Sequence, residues 1–132
     1  MNKKYFKLAA IVADSKDDTR QFLIGSCGVR SDGSIVISSN GPVRLDGNLR
    51  KSFAPAHSEA RLAKKLDVGS VVYVVRISKV HRSFLMARPC PSCQRILRSR
   101  GVKKVFYTIS DNEYGTMYLN NKPESFHKLG KT

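Results

Sequence analysis

Apolar and polar positions alternate with two different periods along this chain. From Lys3 to Ala13, Phe6, Ala9, Ala10 and Ala13 recur at helical spacing, with Leu8, Ile11 and Val12 widening the stripe. The polar stretch DSKDDT ends that helix. FLIGSCGVR and SIVISS flank Ser31-Asp32-Gly33, and an Asp-Gly pair between β-rich runs predicts a hairpin. Residues 40–56, NGPVRLDGNLRKSFAPA, show no period and read as a long loop, the kind that is often functional in a compact domain. HSEARLAKKL is a second helix with Ala60, Leu62, Ala63 and Leu66 apolar. GSVVYVVRIS is so continuously apolar that it predicts a strand buried on both faces.

PSCQRILRSR follows as a third helix, with proline near its start and glycine just past its end. VKKVFYTI is a fourth strand, SDNEYG a turn and TMYL a short fifth strand. A parallel pair needs a crossover of a dozen or more residues. The connection from Ile109 to Thr116 is far shorter, so the last two strands are expected to be antiparallel neighbours. The tail NNKPESFHKLGKT, within residues 120–132, is polar and weakly periodic, and reads as disordered or as a short irregular piece. The order α-β-β-α-β-α-β-β predicts an α/β domain, a central mixed sheet of about five strands covered by helices. A chain of 132 residues fits one domain, with its core over about residues 3–119.

Charge changes this picture. Lys and Arg outnumber Asp and Glu by 24 to 10, a formal charge of +14, which favours anionic partners: nucleotides or nucleic acid. Simple solvation of the surface is the plainer alternative. No apolar run approaches the ~18 residues that span a membrane, so no membrane partner is expected. The two N-terminal lysines precede a short apolar run without a small-residue cleavage pattern. No signal peptide is therefore read there, and the expected location is the cytoplasm.

Three cysteines, Cys27, Cys90 and Cys93, do not suggest a disulfide framework. Cys90 and Cys93 have C-x-x-C spacing, which suits a metal or a redox pair. They open the third helix, where free N–H groups and partial positive charge favour thiolates. Zinc takes sulfur and imidazole donors, and a catalytic zinc keeps one position open. His57, Cys90 and Cys93 make such a set. Glu59 stands two residues from His57 at the same helix start.

H-x-E followed by P-C-x-x-C is the signature of zinc deaminases. Here it reads His57-Ser58-Glu59 and Pro89-Cys90-Pro91-Ser92-Cys93. On these motifs, and on the order of elements from about Lys3 to Leu119, the chain resembles the cytidine deaminase-like superfamily. RPCPSCQRILRSRGVKKVFYT looks like the corresponding stretch of deoxycytidylate-type deaminases, especially those of bacteriophages. The resemblance implies a three-layer α-β-α fold and a Zn2+ cofactor held by His57, Cys90 and Cys93. It implies Glu59 as the residue that moves protons while a cytosine, or an adenine, loses its amino group to water. Asn40 sits where family members place an asparagine that contacts substrate. The branches that act on deoxycytidylate and transfer RNA usually have a helix between the last two core strands. A short antiparallel connection looks more like the nucleoside branch and several toxins that act on polynucleotides.

The expected substrate is the cytosine of a free nucleoside or nucleotide, deoxycytidylate above all. A base within RNA or single-stranded DNA is the alternative that the +14 charge supports. A non-catalytic zinc-stabilised module that binds nucleic acid is a third reading, to which Glu59 would contribute nothing. Arg88 and Arg44 are candidate phosphate contacts, as are Arg50 and Lys51, with plain solvation as the alternative. Cys27 reads as a buried small side chain, Phe106 and Tyr107 as core, and His81 and His127 as solvated. Family members are often dimers, tetramers or hexamers, which leaves a homo-oligomer open.

Overall fold

The structure, a computed structural model, describes residues 1–14, 23–39, 58–120 and 122–129. Its centre is a mixed sheet whose middle strand is the most apolar one. Strand β3 (Val71–Ile77) pairs antiparallel with β1 (Leu23–Val29) on one side and parallel with β5 (Lys104–Ser110) on the other. β2 (Ile35–Ser39) completes the expected hairpin with β1, Cys27 opposite Ile37. β6 (Glu113–Tyr118) lies antiparallel to β5, as the short connection requires.

The strand count differs from about five. Among the described residues the sheet has seven strands: with β4 (Phe84–Leu85) and β7 (Ser125–Lys128) added, the order is β2-β1-β3-β5-β6-β7, with β4 also on β3. β7 pairs with β6 and comes from the tail read as disordered or irregular. A strand of Ser-Phe-His-Lys carries almost no apolar signal. It forms because β6 offers an unpaired row of backbone groups, and His127 stacks on Tyr114 at 5.0 Å between centroids. The turn is also tighter than SDNEYG suggested, since Glu113 to Gly115 already belong to β6.

Alternate residues of the same strands feed two cores. Helix α1 (Lys3–Ala13) buries Phe6, Ala9 and Ala13 against Cys27, Tyr73, Val75, Ile77 and Phe106. Gly25 permits that approach: a Cβ there would overlap the Ala9 carbonyl oxygen and crowd the Ala13 nitrogen. On the opposite face, α2 (Ser58–Ala63) and α3 (Pro91–Ser99) pack Leu62, Ala63 and Leu97 on Val72, Val74, Val105 and Tyr107. Helix α2 ends before the predicted Leu66. Its last turn tightens, with Lys65 N–H bonding to the Leu62 carbonyl and Leu66 N–H to that of Ala63. Among the described residues no helix is long and apolar enough to cross a membrane.

Candidate metal and proton-transfer site

The two helices that share a face start at the same place. Cys93, in the first turn of α3, accepts a hydrogen bond from the Ala60 backbone N–H in the first turn of α2. That one bond joins residues thirty-three apart in sequence. It brings the P-C-x-x-C turn against the H-x-E turn.

Each side of the junction is anchored. Ser58, at the centre of His57-Ser58-Glu59, is fully buried. Its hydroxyl lies 2.6 Å from that of Ser26 on β1 and donates to the Ser38 carbonyl of β2 at 3.1 Å. A buried hydroxyl keeps such partners because losing them costs about 1–3 kcal/mol. They hold the first residue of α2 onto the hairpin. On the other side, Ala87 N–H donates to the Thr108 carbonyl at 2.8 Å and the Thr108 hydroxyl to the Leu85 carbonyl at 2.8 Å. Pro89 is fully buried, and its carbonyl accepts from Gln94 Nε2 at 2.8 Å. Cys90 is the N-cap of α3, with extended backbone (φ −71°, ψ 163°), and Pro91 follows where a missing N–H costs nothing.

Three acidic groups converge at this junction. Glu59 is only 5% exposed. Burial pushes its carboxyl up to about 7, against a small opposing effect of its own backbone N–H. Burial also pushes the Cys93 thiol far above the usual range, and the Glu59 charge and the neighbouring Cys90 sulfur push in the same direction. Cys90 goes the other way. Burial alone would raise it, but donors from the Ser92 hydroxyl, from Cys93 N–H and thiol, and from Ser92 N–H together hold it below the ordinary thiol value. The Ser92 hydroxyl lies 3.2 Å from its sulfur. None of the three cysteines is in a disulfide.

Two sulfur donors beside a buried carboxylate repel one another when ionised, and a divalent cation offsets that repulsion. The two sulfurs are half of a four-coordinate zinc set, which needs further donors. Among the described residues no group of three histidine, cysteine, aspartate or glutamate side chains is arranged to hold a metal. The third donor expected from the sequence, His57, lies outside the described residues, as do Asn40, Arg44, Arg50 and Lys51.

Arg88 is described, and its head is engaged. Its guanidinium forks onto Glu124, Nε at 3.1 and 3.2 Å and Nη2 at 2.6 Å, with the arginine side chain 44% exposed. The same carboxylate accepts from the Tyr107 hydroxyl at 2.6 Å. The Arg88 donors hold Glu124 below the usual carboxylate range. Burial, then the acceptor and charge of Glu124, push the Tyr107 phenol up. Gly115, opposite Tyr107 across β5 and β6, makes room for this, since a Cβ there would overlap the tyrosine ring. Sequence reasoning missed this cluster: Glu124 sits in the polar tail, and nothing local marks it as a partner of either residue. It also missed the Ser26–Ser58–Ser38 lock, whose only sequence trace is a serine in an otherwise apolar strand.

The remaining candidates stand apart. Cys27 is fully buried among apolar side chains, and burial pushes its thiol up to about 11. His81 is exposed, and His127 is exposed and bonded to the Ser125 hydroxyl at 2.9 Å. In comparisons with known proteins, no family model matches the chain and no curated protein matches it significantly.

Proposed function

We propose that the chain is a zinc-dependent hydrolytic deaminase that converts the cytosine of a free nucleoside or nucleotide, deoxycytidylate foremost, to uracil and ammonia. The observation that carries this reading is the junction of Glu59, Cys90 and Cys93 at the adjoining starts of α2 and α3. His57, Cys90 and Cys93 would hold the metal. When bound, zinc supplies the Lewis acidity that lets water act as a nucleophile near neutral pH.

The chain's own residues do the rest. Burial raises the Glu59 carboxyl toward neutrality in the metal-free chain, which suits it to exchange protons near neutral pH. It takes a proton from the attacking water and delivers one to the ring nitrogen. It then takes the water's second proton, now on the hydroxyl bonded to the ring carbon, and gives it to the departing amino group as the carbonyl forms and the C–N bond breaks, so that one water is consumed and one ammonia released. The Ser58 lock fixes the start of the helix that carries it. The arrangement of α1 on one face and α2 with α3 on the other supports the three-layer deaminase fold as part of this proposal. A non-catalytic zinc module would carry the cost of a buried carboxylate beside its sulfurs with no return. A polynucleotide substrate is the second reading, favoured by the exposed Arg61, Lys64 and Lys65 on and just beyond α2 and by Arg95 and Arg98 on α3.

The test is elemental analysis of the purified chain and ammonia release from cytidine, deoxycytidine and deoxycytidylate. One zinc per chain and turnover of at least one substrate are expected. Glu59→Gln should keep the zinc and lose about 10²–10⁴ in turnover. A protein that holds no zinc, and that zinc does not activate, overturns the proposal.

A further inference from the structure

Helices α2 and α3 run side by side away from their shared start. At the far end Arg100 Nη2 donates to the Lys64 and Leu66 carbonyls, at 3.4 and 3.2 Å. Their inward positions, Leu62, Ala63, Leu66, Cys93 and Leu97, are buried. Their outward positions are cationic: Arg61, Lys64 and Lys65 on one, Arg95, Arg98 and Arg100 on the other, all exposed. Residues 58–66 and 91–100 contain one acidic residue, the buried Glu59. Asp67, just beyond, is taken by Ser31 and Ser70.

Among the described residues no ion pair compensates the positive charge on this face. Arg98, Arg100 and Lys65 are steadied by backbone carbonyls of Leu119, of Lys64 and Leu66, and of Ile37. Carbonyls orient these cations and leave the net charge in place. The ion pairs between described residues, Arg82–Asp14 and Arg88–Glu124, lie elsewhere. The nine residues of α3 span about 14 Å. Six cations on this face match several successive phosphates of one strand. One nucleotide would engage a small part of such a face.

We propose that the outer face of α2 and α3 holds the sugar-phosphate backbone of a single-stranded polynucleotide. This takes the second reading of the deaminase proposal, in which the base to be deaminated reaches the helix starts as part of a strand. A paired, stacked base has its amino group sequestered, so the strand is single or locally opened. The inference rests on the proposed deaminase for what happens to the base. The binding face rests on charge alone.

The experiment titrates the full-length, zinc-loaded chain into a fluorescein-labelled single-stranded deoxyoligonucleotide, and into its RNA counterpart, over a series of NaCl concentrations. With about four phosphates engaged, log affinity should fall against log salt with a slope of about −3. The triple variant Arg61→Glu/Lys64→Glu/Arg95→Glu should bind at least about tenfold more weakly, with the slope shallower by about 2. Its zinc content and any turnover of free cytidine should match the wild type. Lys3→Glu/Lys4→Glu/Lys7→Glu, an equal charge change on the opposite side of the sheet, should lose far less.

Equal losses in the two variants, unchanged binding in the first, or a wild-type slope near zero each overturn the proposed face. Salt-dependent binding that only the α2–α3 variant loses, in a protein that deaminates nothing, keeps the face and removes the deaminase reading. Turnover of cytidine with no such binding does the reverse.

Discussion

The two faces of one sheet are built from alternate residues of the same strands, yet they differ in chemistry. The α1 face is aromatic. Phe6, Tyr73, Phe106 and Tyr114 meet with ring centroids 4.9–6.1 Å apart, mostly edge to face. The α2–α3 face is aliphatic at its centre and ionisable at one edge. Each face buries a cysteine. Cys27 has burial as its one perturbation. Cys93 is equally hidden, but a carboxylate and a second thiol stand beside it and a backbone N–H points at it. Burial of a thiol is thus common to core and site. Convergence of other ionisable groups separates them.

The sharpest way to break that comparison is to truncate the two cysteines in parallel. Cys93→Ala should abolish zinc retention and forfeit the stabilisation the metal confers, about 4 kcal/mol at a thousandfold excess over its dissociation constant. Cys27→Ala should keep one zinc per chain and cost on the order of 1 kcal/mol for a small cavity. Thermal melts with metal analysis read both. Equal zinc loss in the two variants would erase the distinction.

A smaller effect should appear in the pH dependence of the metal-free protein. Burial raises the Glu59 carboxyl from the ordinary 4.5 to about 7, so the folded chain binds this proton more tightly than the unfolded chain does. The associated stability is fully present below about pH 4.5. It is lost as pH rises to about 7, by a few kcal/mol at most. Denaturant melts at several pH values should show that fall, and Glu59→Gln should flatten it. A slope unchanged in the variant would assign it to other groups.

The smallest expected effect concerns the tail. Tyr107→Phe removes the hydroxyl that donates to Glu124 at 2.6 Å and should cost about 1–2 kcal/mol. It should also loosen the β6–β7 edge, visible as faster amide exchange over Ser125–Lys128, while α1 and its aromatic cluster stay protected. Uniform loss of protection over both faces would show that the tail is coupled to the whole core.

Much of the fold was legible because its signals are local. The stripe Phe6, Ala9, Ala13, the Asp32-Gly33 turn and the apolar run of β3 each specify an element within a few residues. The antiparallel pairing of β5 with β6 followed from the short connection between them. β7 and the two-residue β4 were not legible, because their strand form comes from a neighbour's unpaired backbone rather than from their own side chains. Arg88 shows the same limit at the site. Its position before Pro89-Cys90 suggested a free cation, and its fork onto Glu124 could be learned only from the folded chain.

The sequence by itself determined the three helices, the five main strands and which residue types are available for chemistry: two thiols at a helix start, and a carboxylate at another. Only the tertiary structure decided that those starts abut, through the Ala60 N–H on Cys93, and that Glu59 is sealed from water. It also decided that the cations of two separate helices form one face. The physical reason is range. Periodicity and capping act over a single turn or strand, whereas burial, charge convergence and edge pairing depend on groups that meet only when the sheet brings distant segments together.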